Sequence, residues 1–497
     1  MNETSMMSRS FPPFLCAMLA MMLAGCTVGP DYVRPQTTAP AAFKEMKGWK
    51  QAQPKDHLPP GRWWEIFKDP QLNALEEQVA TANQSIAQAE AQYRQAQALV
   101  QSARAAYVPT GTATATVSRF RAPTSQSIAV AGVRYLFGAA LNMAWEPDLW
   151  GSVRRQVESD TGNAQASAAT LQALRLSTQA TLAQDYFQLR ALDAQKKLLD
   201  ETVEAYRKTL EVTRNRYAVG VAARTDVAQA ESQLESARAQ AIDVGVQRAQ
   251  MEHAVAVLIG KPPAELTLSF APLNAPPPPI PVGVPSELLE RRPDIAAAER
   301  QVAAANAKIG VAKAAYFPSL SLSATNGSQS NTLSTFMTMA SRYWALGPAA
   351  AALTLLDGGA RSAQMKQAIA AYDAGVANYR QTVLTGFQEV EDNLAALRIL
   401  EEEYRVQDKA VQAARESVAM TTNQYKAGTV SYLNVMTAQA AALANEQTLV
   451  QLRGARLGAA VLLVKALGGD WDVSSLPGPE EAAGEVTWSD YLPFPVE

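Results

Sequence analysis

The chain has 497 residues, 48% of them hydrophobic, with 44 basic and 47 acidic side chains and a formal net charge of −3. That length suffices for two or three ordinary domains, and the near balance of charge argues against the electrostatic footprint of a nucleic-acid-binding protein. Two cysteines and two histidines argue against a disulfide framework or a metal cluster built on those residues.

The first segment, residues 1–25, reads as a signal peptide. Arg9 supplies a positive charge, and Phe14 to Ala24 runs without one. Eleven apolar residues are too few to span a bilayer and suit the core of a secretory signal. The segment ends in Leu23-Ala24-Gly25-Cys26, small residues before a cysteine, the pattern of a lipobox. Processing there would leave Cys26 lipidated. Several acyl chains hold a protein on a membrane far more firmly than one. Thr27 follows where lipoproteins kept at the inner membrane usually carry Asp, so the address resembles that of the outer membrane. Cys16 leaves with the signal, which leaves the mature chain no free thiol. A covalent lipid on Cys26 is the one prosthetic group expected; no cofactor and no metal are. After residue 25 no apolar run reaches 18 residues, so a membrane crossing would have to be a closed β-barrel.

Residues 26–70 form an N-terminal tail, and a first structural unit is predicted over 71–270. It opens with a helix. Leu72, Leu75, Val79, Ala82, Ile86, Ala89, Tyr93, Ala96, Val100, Ala103 and Tyr107 step by three and four, a heptad seam predicting one unbroken helix. The seam alone does not separate this from a bundle in a soluble protein. Pro109 ends the helix, because a proline disfavours helix in the residue before it. The period then becomes two. Thr110 to Val117 alternates Thr or Gly with Ala and Val, and a second run from Tyr135 to Leu149 completes a hairpin over about 110–149. Each run is near the ~9–11 residues of a tilted transmembrane strand. Trp145, Trp150, Tyr343 and Trp344 are candidates for an aromatic girdle. A long helix follows over about 152–217, extending about 100 Å at ~1.5 Å per residue. A Tyr-x-x-Gly turn (Tyr217, Gly220) reverses the chain, and a helix returns over about 224–260. The linker 271–285 holds seven prolines in fifteen residues and reads as stiff and extended.

The second unit, 286–468, repeats the first. Ala105-Ala-Tyr-Val-Pro109 recurs as Ala314-Ala-Tyr-Phe-Pro318, Tyr217-Ala-Val-Gly220 as Tyr425-Lys-Ala-Gly428, and Gly151 and Arg154 as Gly358 and Arg361, all at offsets of 207–209. A hairpin over about 319–357, a long helix over 359–425 and a return helix over 432–468 are expected. Residues 469–497 are a C-terminal tail. The fold class expected is thus mainly α, with long antiparallel coiled-coil-like helices, a transmembrane β-barrel and an internal two-fold repeat. Four strands cannot close a barrel, since about eight are the practical minimum, so oligomerisation is required.

The motifs Cys26-Thr-Val-Gly-Pro-Asp-Tyr32, Trp145-Glu-Pro-Asp-Leu-Trp-Gly-Ser-Val-Arg-Arg155, Glu290-Arg-Arg-Pro-Asp-Ile295 and Ala314-Ala-Tyr-Phe-Pro-Ser319, with the two Tyr-x-x-Gly turns, resemble the outer-membrane factors. These are the TolC-like channels, and the likeness is to their lipoprotein branch in resistance-nodulation-division efflux. The resemblance covers nearly all of the mature chain. It implies a homotrimer in which each protomer gives four strands to a twelve-stranded barrel and its helices to a periplasmic tunnel. It also implies a passive duct in the outer membrane, partnered by a periplasmic adaptor, an inner-membrane RND-type transporter and membrane lipids. On this resemblance Tyr217, Gly220, Tyr425 and Gly428 lie at the periplasmic tip and dock the adaptor. Aperture residues fall at Asp226, Asn434 and Thr437, although Asn and Thr stand where the family often carries Asp. The enzyme classes find no support: His57 and His253 have no ligand spacing, and GxSxG, P-loop and strand-borne GxGxxG motifs are absent. The alternatives are a duct of the same fold for metal ions or type I protein secretion, and a non-channel coiled-coil lipoprotein spacer.

Overall fold

The computed structural model describes residues 27–37, 39–45, 62–121, 133–273, 276–280, 282 and 285–484. The expected signal peptide, Cys26, the hairpin turn 122–132 and the last thirteen residues lie outside the described residues. The described chain runs through two helices, α1 (Pro70–Ala82) and α2 (Gln84–Ala105), then two strands, β1 (Thr110–Arg121) and β2 (Val133–Trp145). Two long helices follow, α3 (Ser152–Ala218) and α4 (Arg224–Leu258). The second half answers with α5 (Pro293–Ala314), β3 (Ser319–Ser330), the short strands β4 (Arg342–Leu346) and β5 (Ala350–Ala352), α6 (Ala360–Lys426) and α7 (Tyr432–Ala466). The duplication is visible in the lengths: α3 and α6 each have 67 residues, α4 and α7 each 35.

The helix expected to run unbroken to Tyr107 is two helices. At Asn83 the backbone is extended (φ −69°, ψ 123°), and its side chain accepts hydrogen bonds from the amides of Ser85 and Ile86 at 2.9 and 3.1 Å. Its amide group donates to the Leu258 carbonyl at 2.8 Å. The break therefore caps α2 and bonds the end of α4 at once. The seam itself is largely buried: Leu72, Leu75, Val79, Ile86, Ala89 and Val100 are each 7% exposed or less.

The long helices start and stop by paired devices. Asp148 accepts from the amides of Val153 and Arg154, and Asp357 from those of Gly359 and Arg361; both carboxylates satisfy orphan N–H groups at a helix start. All four long helices end in the same turn. The amide of Val221 reaches the Arg216 carbonyl and that of Gly220 the Tyr217 carbonyl, both at 2.9 Å, with Gly220 at φ +76°. Gly260, Gly428 and Gly468 repeat this pattern at φ +70°, +80° and +91°, the Schellman arrangement that a left-handed glycine permits.

The five strands form one antiparallel sheet in the order β1-β2-β3-β4, with β5 also paired to β3 on the β4 side. The last strand of the hairpin expected over about 319–357 is split. Ala324 faces Leu346 while Ser321 faces Ala350, so one extra residue sits on the β4–β5 side. This is a bulge at Gly347-Pro348, where proline has no N–H for the ladder. The registers sort the side chains onto two faces. Val117, Phe137, Leu141, Met143, Leu322, Trp344 and Leu346 share one face; Thr112, Thr114, Thr116, Asn142, Ser323 and Thr325 share the other. Asn142 joins Thr114 at 3.3 Å and Thr325 at 3.0 Å across the polar face. The four girdle candidates do not form one belt. Trp145 and Trp150 lie at the helix end of the sheet, bonded to the carbonyls of Tyr107 and Pro318. Tyr343 and Trp344 face Gly327 and Asn326 in mid-sheet, and as strand neighbours they point to opposite faces.

The main core lies in the helices near mid-length. Trp63, Phe67, Leu72, Tyr186, Leu189, Ile295, Leu394, Leu457 and Val461 belong to it. The proline-rich linker contributes to this core, with Leu273, Ile280 and Val282 buried. A buried ion network pins the linker's start: Asp193 accepts from Arg190 at 2.9 Å, Arg248 at 2.7 Å and the Ala271 amide at 3.0 Å. Residues 27–37 and 39–45 run as a strap along the helices. Val28 bonds Trp150, Asn306 bonds Pro30, Tyr32 donates to Glu299, and the amides of Lys44 and Glu45 bond Glu391. Among the described residues no helix is long and apolar enough to cross a membrane.

Candidate functional site

The turns α3–α4 and α6–α7 lie at the end of the molecule remote from the sheet, since each is 67 residues of helix away from a strand. Beneath them sits a separate small core of Tyr206, Leu210, Val227, Ala230, Leu234, Ala237, Tyr425, Tyr432 and Val435. The two turns are joined by Arg216. Its Nη1 donates to the Lys426 carbonyl at 2.8 Å, and its guanidinium lies 4.9 Å from the centre of the Tyr425 ring, a cation–π geometry. Tyr425 meets Tyr432 edge-on at 5.6 Å, and the Tyr432 hydroxyl donates to Gln233 Oε1 at 3.0 Å. Burial, with Tyr206 and Tyr425 beside it, pushes the Tyr432 phenol well above its usual value.

The two Tyr-x-x-Gly motifs are alike in backbone and unlike in setting. Tyr217 is 43% exposed, whereas Tyr425 is 4% exposed. Nothing lies within 4 Å of a β-carbon placed on Gly220, and one on Gly428 meets only the tip of Arg216 at 3.7 Å. Both glycines are therefore required by backbone angle and leave an open surface over the turn.

The aperture candidates occupy the first turns of the return helices. Asp226 and Asn434 each take the third helical position, of α4 and α7. Asp226 is half-buried, and its carboxylate accepts from the Ala223 amide at 3.4 Å, a long cap contact. Asn434 and Thr437 are exposed, and Thr437 bonds back to the Leu433 carbonyl of its own helix at 2.9 Å. None of the three bonds another. Among the described residues no group of His, Cys, Asp and Glu is arranged to hold a metal ion.

Sequence reasoning missed Arg216, Gln233 and Tyr432. A signal was present in the repeat. Gln424 stands where the first unit has Arg216, and Arg224 where the second has Tyr432. Positions where the repeats differ are the ones that join the two turns.

A family model described as outer membrane efflux protein matches residues 75–261 and again 284–469, once in each repeat. Over 474 residues the chain is 32% identical to the probable efflux pump outer membrane protein TtgC of Pseudomonas putida, covering 95% of this chain and 98% of the relative. It is 31% identical over 463 residues to the outer membrane protein OprJ of Pseudomonas aeruginosa, covering 92% and 95% of the two chains. Among solved structures, that of the outer-membrane channel OprN superposes with a TM-score of 0.84 at 31% identity, covering 89% of this chain and 99% of that one.

Proposed function

The chain belongs to the outer membrane efflux protein family, and on that premise we propose that three copies form a passive duct carrying small molecules from an inner-membrane pump to the cell exterior. The observation that carries this reading is the sheet. It has four strand positions, the last split into β4 and β5, two unpaired edges, a largely apolar exposed face and a face rich in Thr, Ser and Asn. Open edges do not survive in lipid. Joining β1 of one copy to β4 of the next closes a barrel with the apolar face outward and the polar face around a wet lumen. Helices of about 100 Å then continue the lumen into the periplasm. The polar face presents no Met or His, which favours small organic cargo over metal ions as substrate.

The energy comes from the inner-membrane RND-type transporter, and a periplasmic adaptor links it to the duct. The turns at Tyr217, Gly220, Tyr425 and Gly428 are the surface offered to the adaptor, supported by their position at the far tip and their open glycines. Lipidation of Cys26 anchors the chain from the strap that begins at Thr27. Gly428→Trp tests the docking assignment. Trimer yield and membrane insertion should stay normal, because the turn is remote from the sheet, while export in a susceptibility assay should be lost. Normal export with normal trimers would remove these turns from the docking surface.

A further inference from the structure

The strap is packed at the foot of the sheet from its first described residue. Thr27 lies against Gly151, where a β-carbon would sit 2.9 Å from the Thr27 methyl and 3.2 Å from its Cα. Gly151 has φ +77°, so glycine is required there by angle and by contact. The Val28 amide donates to the Trp150 carbonyl at 3.1 Å. Gly29, at φ +117°, presses on Gly310 of α5, and an added β-carbon would stand 2.6 Å from Gly310 Cα. Asn306 donates to the Pro30 carbonyl at 3.0 Å and Arg155 to Asp31 at 2.9 Å. The end of the strap is built into the fold.

Cys26 is the next residue, and a trans peptide puts its Cα about 3.8 Å from that of Thr27, beside Trp150 and Gly151. At this point a cavity of about 370 Å³ lies between the start of α3, the end of α5 and the first residues of β3. Trp150, Val311, Phe317 and Leu320 give it an apolar wall, and Ser152 and Thr354 bring hydroxyls to it. Trp150 stacks on Phe317 with ring centres 4.7 Å apart and donates its indole N–H to the Pro318 carbonyl at 2.7 Å, which fixes that wall. Asp148 borders the cavity too, but its oxygens accept from the Val153 and Arg154 amides.

Leu320 joins the cavity to the apolar face of the sheet. It stands two residues before Leu322 and so shares its face. Leu322 faces Trp145 across the β2–β3 ladder, and Met143 and Leu141 continue the same face along β2. A hydrocarbon chain that leaves the cavity past Leu320 meets apolar surface from its first methylenes onward. All of these residues belong to one chain, so the site is complete within a single copy.

We propose that this cavity is the seat of the lipid on Cys26. The ester carbonyls of its glyceryl group accept from Ser152 and Thr354, and the first methylenes of one acyl chain pack on Trp150, Val311, Phe317 and Leu320. This rests on the lipidation of Cys26 and on the outward apolar face, both proposed above. A thioether-linked glyceride has acceptor oxygens at its root and methylenes beyond, the order in which the cavity presents hydroxyls and apolar wall. An anchor that only tethers needs no seat; a seated one fixes the height of the sheet in the bilayer.

The test uses the full-length protein, made in cells fed a palmitic acid analogue that carries a diazirine near its carboxyl end. Wild type, Cys26→Ser and Val311→Trp, which fills the cavity, are purified in neutral detergent, irradiated, digested and mapped by mass spectrometry. In the wild type the Cys26 peptide should be joined through its lipid to a peptide holding Trp150 or Phe317. In Val311→Trp this product should fall about tenfold or more, the worth of roughly two buried methylenes, with the acyl mass on Cys26 unchanged. Leu320→Trp fills the same space and takes its place if Val311→Trp does not fold. A yield unchanged by the filling variant overturns the proposal. So does a Cys26 lipid joined only to other parts of the chain, or to none. Cavity peptides labelled equally in wild type and Cys26→Ser, without a Cys26 partner, would give the seat to a separate membrane lipid and overturn it too. The same spectra separate the premises: acyl mass on Cys26 without the joined product refutes the seat alone, whereas Cys26 without acyl mass refutes the anchor and the seat together.

Discussion

Gly220, Gly260, Gly428 and Gly468 close four helices with one backbone geometry, but their surroundings divide them into two pairs. A β-carbon on Gly260 would sit 2.2 Å from the Ala82 carbonyl oxygen, and one on Gly468 would sit 1.9 Å from that of Arg291. Those two allow one chain segment to lie against another; Gly220 and Gly428 meet almost nothing. Gly220→Ala should cost only the left-handed strain, about 1–2 kcal/mol. Gly468→Ala should cost that plus displacement of the Arg291 backbone, and should lower both the yield and the unfolding temperature of the purified protein well beyond Gly220→Ala. Equal losses at both positions would mean that backbone angle alone sets the requirement. Glu76 offers a second residue-scale test. It is 0% exposed, neither carboxylate oxygen has a hydrogen-bond partner among the described residues, and burial pushes its pKa well above the ordinary 4.5. The folded protein thus holds this proton more tightly than the unfolded chain. Stability is greatest below the unfolded value and falls as pH rises toward the folded one. Glu76→Gln should stabilise by about 1 kcal/mol or more at pH 7 and lose that advantage near pH 4. Thermal unfolding across pH reads this, and a constant difference at all pH values would contradict it.

At the scale of elements, the break between α1 and α2 and the bulge between β4 and β5 show where periodicity stops being informative. The seam through Ala82 and Ile86 keeps its spacing of four across the break, because both flanking helices bury the same face. What ends the helix is the Asn83 side chain, which caps α2 and reaches the end of α4 175 positions along the chain. Asn83→Ala removes the cap and leaves the Leu258 carbonyl without this donor. It should destabilise by about 1–3 kcal/mol, measured by denaturant unfolding. A neutral result would mean that the packing of Gly260 against Ala82 sets the break by itself. The bulge had a local cue, Gly347-Pro348, but its consequence was not local. One extra residue re-aims the end of the strand, and only the pairing with β3 shows that the ladder resumes at Ala350.

For the whole molecule, the open sheet demands partners, and detergent-corrected light scattering should return three chains of 53.3 kDa before processing. A stable monomer would leave both sheet edges unpaired in lipid and would contradict the barrel. Cys26→Ser should abolish the lipid anchor, seen by mass spectrometry as loss of acyl mass, and leave pore formation intact. The buried network of Asp193 with Arg190 and Arg248 belongs to this scale too, because it fastens the linker between the repeats to the long helices of the first.

The sequence by itself determined the duplication, the long helices, the strand-forming segments and the two Tyr-x-x-Gly turn glycines. Each is written in a local period or a local backbone demand: steps of three and four for a helix, alternation for a strand, a left-handed angle for Gly220 and Gly428. Partners were not written there. Only the tertiary structure decided that Arg216 would cover Tyr425 and leave Tyr217 open. The same holds for β2 pairing with β3 across the repeat boundary and for the Asn83 amide reaching the end of α4. Those outcomes depend on contacts between residues far apart in the chain, and a side chain's period reports which face it lies on, not what lies opposite that face.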